Sequence, residues 1–162
     1  MEERASTPSE LADLEELFDS WIHSQLESNP TIAAVERDEG EERVWFVRVL
    51  GEDRESYTVR FALGQRTLAF DSYFLPAPIE NEEQFYRQLL RRNRDLFGVA
   101  FCIGDEEAVF LAGQLSNPQL NVAALDRVLG TVYATVERCF RAALSVGFVS
   151  QLGPGAEAHQ SK

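Results

Sequence analysis

The chain has 162 residues, with 15 basic against 27 acidic ones, for a formal net charge of −12. That length suits one domain burying roughly 70% of its unfolded surface, and a field of that sign opposes phosphate backbones, so no nucleic-acid partner is expected. The acidity is local: residues 1–55 hold 16 acids and 5 bases, net −11.

Thr7, Pro8 and Glu10 make a Thr-x-x-Glu capping box with proline at the first helical position. Leu11, Leu14, Phe18, Trp21, Ile22 and Leu26 then recur at three- and four-residue intervals, which predicts a helix ending near Ser28 to Pro30. His23 lies on it with no second ligand spaced to share a metal. A weak strand at 31–37 leads into a charged glycine turn at 38–42. The run VWFVRVL, 44–50, reads as a central strand covered on much of both faces. Tyr57 to Leu63 alternates with the period of a half-buried strand, and 67–75 completes a meander.

Beyond the prolines of SYFLPAP, Asn81 is a natural N-cap followed by Glu82, Glu83 and Gln84, while Arg91, Arg92 and Arg94 crowd the far end and Gly98 follows as a stop. A helix over 81–97 is predicted. Phe85, Tyr86, Leu89, Leu90, Leu96 and Phe97 share one arc, with Asn93 in its middle. That amide has two readings. It satisfies buried backbone groups of a nearby loop, Pro76 to Pro78 being the candidate, or it anchors a ligand in a pocket between the sheet and this helix.

Residues 99–103 and 108–115 read as a hairpin across the acidic turn 104–107, which lacks the ligand alternation of a calcium loop. The last helix starts near Asn121, carries Leu125, Val128, Leu129, Val132, Val136, Cys139 and Leu144 on its apolar face, and ends at Gly147. Gly130 sits at the margin of that face, where a missing side chain permits close approach of another element. Residues 1–150 are read as one domain and 151–162 as a disordered tail. Cys102 and Cys139 read as small buried hydrophobes, which fits a reducing cytosol. The N-terminus lacks the positive start and apolar run of a secretory signal, and no stretch reaches the ~18 apolar residues of a membrane span. A cytoplasmic location away from membranes is expected.

Catalytic chemistry finds little footing. The two histidines are His23 and His159, and no nucleophile elbow, phosphate loop, dinucleotide fingerprint or Cys-x-x-Cys occurs. A carboxylate pair of Asp71 with Glu80 or Glu83 is formally available. No catalytic residue, cofactor or metal is assigned, and the chain is read as a non-enzyme.

The runs Ser72 to Pro78, Glu80-Asn81, Tyr86, Leu89 to Asn93, Gly98 to Phe101, Leu125-Asp126-Arg127, Leu129-Gly130 and Gly147-Phe148, in this order and spacing, resemble the YbjN family, in particular its actinobacterial members. The resemblance implies a fold similar to type III secretion chaperones: small, acidic, non-enzymatic cytosolic dimers that bind an extended segment of a client. The expected fold is α+β, α-β-β-β(-β)-α-β-β-α, a mainly antiparallel twisted sheet with helices packed on it. A homodimer is expected from the resemblance and from the 11 phenylalanines. The expected function is a non-catalytic protein-binding module, chaperone-like or regulatory. Its first helix offers Leu14, Phe18, Trp21 and Ile22 beside Glu15, Glu16 and Asp19 to a basic, partly apolar client segment. In the opposing reading that helix packs on its own sheet and the acids only maintain solubility. The alternative function is a small-ligand sensor with Asn93 in its pocket.

Overall fold

The computed structural model describes residues 4–152. Helix α1 (Pro8–Ser28) begins at the expected capping box: Thr7 Oγ1 accepts from Glu10 N–H and Glu10 Oε1 from Thr7 N–H. Strands β1 (Ile32–Arg37), β2 (Val44–Leu50), β3 (Ser56–Leu63) and β4 (Thr67–Leu75) form the meander. Then come α2 (Glu82–Asn93), the hairpin β5 (Ala100–Ile103) and β6 (Val109–Ser116), and α3 (Val122–Gly147), whose Asn121 cap accepts from Ala124 N–H. All pairings are antiparallel, in the order β1-β2-β3-β4-β6-β5. The architecture is the expected α+β one.

Strand alternation sends Trp45, Val47, Val49, Tyr57, Val59, Phe61, Leu68, Phe70 and Leu111 to a single buried face. The helices cover that face, and the other is open. An aromatic chain crosses the core: Phe18 lies 4.3 Å from Trp45 and 5.1 Å from Phe61, which meets Phe70, while Phe74 lies 4.8 Å from Phe101. Seven of the phenylalanines that favoured a dimer, Phe18, Phe61, Phe70, Phe74, Phe85, Phe101 and Phe148, are thus buried within one chain.

Four local expectations are corrected. Strand β2 is covered along the whole of one face but only at the start of the other, where Val44 is buried and Phe46 half-buried while Arg48 and Leu50 are exposed, and it lies next to the sheet edge rather than at its centre. Helix α2 stops at Asn93 rather than 97, passing into a tight turn in which Leu96 N–H bonds to Asn93 O before Gly98 takes a φ of 79°. Asn81 sits in the left-handed region and does not cap α2. Its Nδ2 donates instead to Val146 O, tying the start of α2 to the end of α3. Cys102, on the outward side of β5, is exposed, whereas Cys139 is buried. Gln151 and Leu152 continue a short helical turn and Leu152 is buried; the rest of the expected tail, 153–162, lies outside the described residues. Among the described residues no helix is long and apolar enough to cross a membrane.

Candidate functional site

A sheet of this topology has two edges, and backbone register decides what each exposes. Asp38 N–H donates to Val44 O and Leu50 N–H to Thr31 O, so the even-numbered residues of β2 bond toward β1. Val35 and Arg37, which oppose the odd-numbered Val47 and Trp45, therefore turn their N–H and C=O groups away from the sheet. Among the described residues no hydrogen bond reaches those groups. A groove of about 300 Å³ runs between α1 and this edge, lined by Asp19, Ile22, His23, Val35, Glu36, Arg37 and Trp45. Glu36, Glu39, Glu41 and Glu42 are exposed nearby. This edge is open and acidic.

The residues expected to meet a client divide here. Phe18, Trp21 and Ile22 are buried in the core and Leu14 is half-buried, so the apolar face of α1 packs on its own sheet. Arg37 stacks on Trp45, its guanidinium 5.1 Å from the ring, and binds both Glu15 and Asp19. Asp19 also accepts from Trp45 Nε1 at 2.7 Å. Glu16 remains exposed. Of α1, Asp19, His23 and the buried Ile22 line the groove, while Leu14, Phe18 and Trp21 do not.

Strand β5, at the other edge, is closed by a side chain. Phe101 N–H donates to Asn93 Oδ1 at 2.7 Å, and Asn93 Nδ2 donates to Phe101 O at 3.1 Å. One amide thereby copies the two-bond pairing of a neighbouring strand. The backbone it satisfies is that of β5 rather than the proline loop, and both ends of the amide expected to anchor a ligand are engaged. Position 93 alone gives no hint of this, because its partner is fixed only once α2 is laid along β5.

Outside that plug the α2–β5 face is apolar. Leu90 is 67% exposed, Phe97 88% and Ile103 52%. Beside them is a cavity of about 260 Å³ lined by Tyr86, Leu89, Leu90, Phe101, Cys102, Ile103 and Val109. Sequence reasoning placed Leu90 and Phe97 in the core, since both keep phase with the buried arc. Charges separate along the face: Arg91 and Arg94 stand near the start of β5, and Asp105, Glu106 and Glu107 at its end. Asp71 lies on the opposite, open face, near Arg60 at 3.9 Å, so it makes no pair with Glu83 on α2. Burial pushes its carboxyl pKa upward and Arg60 opposes that.

The family model YbjN, described as "Putative bacterial sensory transduction regulator", matches residues 25–145. The chain belongs to the YbjN family. The match includes both sheet edges and leaves out most of α1. Among YbjN relatives, an uncharacterized protein of Mycobacterium tuberculosis is 34% identical over 106 residues, 65% of this chain and 58% of that protein. An uncharacterized protein of Mycobacterium leprae is 33% identical over the same length. The chain therefore spans under two thirds of the curated relatives it matches. A chain in the crystal structure of the ExsC–ExsE complex superimposes with a TM-score of 0.55 at 17% identity, covering 80% of this YbjN chain and 92% of that one. At that identity the likeness is one of fold.

Proposed function

We propose that this YbjN protein is a non-catalytic, protein-binding regulatory module of the cytoplasm. It acts as a homodimer and takes an extended, basic, partly apolar segment of a partner along β1. The observation that carries this reading is the unlike character of the two edges. Strand β1 presents unpaired backbone groups in an acidic setting, which suits strand addition by a basic segment. The α2–β5 face is closed to strand addition but offers exposed apolar side chains beside a hollow. A two-fold axis across it sets Phe97 of one copy toward the hollow of the other and the arginine end against the acidic turn, an isologous contact with complementary charge. The fold likeness to a protein solved in complex with a partner agrees with this reading.

Sedimentation at several concentrations tests the dimer: a species of twice the 18.3 kDa chain mass is expected. Leu90→Glu with Phe97→Ser should make it monomeric without loss of helix content. For the client, anisotropy of a labelled peptide alternating valine and arginine should show binding that weakens with salt, and Glu36→Lys with Glu39→Lys should lower affinity about tenfold or more. A chain that stays monomeric throughout refutes the dimer. Peptide affinity indifferent to salt and to both charge reversals refutes the β1 assignment.

A further inference from the structure

A second hollow lies between α1 and α3, at the start of β1. It measures about 400 Å³, and its lining includes Ile32, Val49 and Leu129 as apolar walls with Asp126, Gly130 and Tyr133 from α3. No element approaches Gly130: a Cβ there meets nothing within 4 Å, so the missing side chain keeps the hollow open.

Its polar wall is a relay with one direction. Thr31 N–H and Oγ1–H donate to Asn29 Oδ1 at 3.1 and 2.7 Å, and Asn29 Nδ2 donates to Gln25 Oε1 at 3.1 Å. Gln25 Nε2 and Trp21 Nε1 then donate to Asp126 Oδ1 at 3.0 and 2.9 Å. Each amide donates one N–H to the next acceptor, and the relay ends on a carboxylate. Among the described residues no cation pairs with Asp126, and its Oδ2 has no partner. The wall therefore presents acceptor capacity and negative charge above apolar side chains. An anion is repelled there, and a wholly apolar group covering the exposed Asp126 gives its Oδ2 no donor in place of water.

We infer that this hollow seats an alkylguanidinium or alkylammonium group, its aliphatic stem against Ile32, Val49 and Leu129 and its cationic head on Asp126 Oδ2. The source favoured is an arginine or lysine side chain of the segment bound along β1, whose first turn, Thr31 and Ile32, also lines the hollow. This inference rests on the reading of the protein as a binder of basic segments.

The test is an amide-resonance titration of the full chain with three probes: an acetylated hexapeptide carrying one arginine among valines and threonines, the same peptide with citrulline, and butylguanidinium. The arginine peptide should shift Ile32, Gly130 and Tyr133, and the citrulline peptide should bind about tenfold more weakly or worse. Asp126→Asn keeps an oxygen for Trp21 and Gln25 but should weaken the arginine peptide about tenfold. Gly130→Leu fills the hollow, favours the helix and should abolish the shifts. Equal affinity of butylguanidinium assigns the seat to a free cation; at least tenfold preference for the peptide assigns it to a partner segment. Both outcomes support the chemistry. Equal binding of the citrulline peptide, or shifts unaffected by Gly130→Leu, overturns it. Shifts confined to Val35 and Arg37 overturn the seat while leaving the β1 reading intact. Silence of all three probes at these resonances overturns the seat too, and β1 is then judged by its own peptide and charge reversals.

Discussion

Replacing Asn93 by alanine removes both hydrogen bonds to Phe101 and leaves a strand N–H and C=O without partners at the edge of the core. Each net hydrogen bond contributes about 1 kcal/mol, and a stranded polar group costs about 1–3 kcal/mol where water reaches it poorly. Asn93 is half-buried, so water relieves part of that cost, and a loss of about 2–3 kcal/mol is expected. For a chain of this size that lowers Tm by roughly 4–12 °C. Urea denaturation of Asn93→Ala measures the loss, and hydrogen exchange of the Phe101 amide locates it. Asn93→Asp keeps the acceptor for Phe101 N–H but sets a carboxylate against Phe101 O, so it should not restore stability. A change under about 0.5 kcal/mol in Asn93→Ala, with Phe101 exchange unaltered, refutes the assignment of this amide to the strand edge.

Phe18→Ala should lose about 3–5 kcal/mol, because the ring is buried between Trp45, Trp21 and Phe61; calorimetry checks this, and a neutral result would mean that α1 is detachable and its apolar face available to a partner. Glu10 is held at a pKa of about 2 against an ordinary 4.5 by hydrogen bonding to Arg4 and to Thr7. A lowered carboxylate pKa stabilises the fold above the ordinary value and loses that contribution as pH falls through the folded one. A side-chain NMR titration should therefore place the Glu10 midpoint well below 4.5, with the Thr7 amide following it through the window from about 4.5 to about 2; a midpoint at 4.5 refutes the reciprocal cap.

What was legible in the sequence followed from short-range rules. The capping box of α1, the alternation of β3 and β4 and the long apolar face of α3 are decided by neighbours a few residues apart, and each element lies where its pattern puts it. Failures came where a distant partner decides. Leu96 and Phe97 keep helical phase, yet the chain leaves the helix at Asn93, whose side chain is committed to Phe101. VWFVRVL looks covered on both sides because Phe46 and Leu50 are apolar, but all three helices gather on one face. Asn81 has the composition of a cap, while its left-handed backbone aims the amide at Val146. Of the candidate site, the acidity of the first third was evident. The open groups of Val35 and Arg37 were not, because strand order and register are long-range properties.

The plug at β5 also decides how many copies can join through their sheets. An open strand at one edge and an open strand at the other would let β1 of each molecule dock on β5 of the next, a head-to-tail contact that does not close and runs on into a filament. With Asn93 occupying the place of that next strand on Phe101, the repeat is interrupted at its first step. Growth of the sheet is thereby confined to the β1 side.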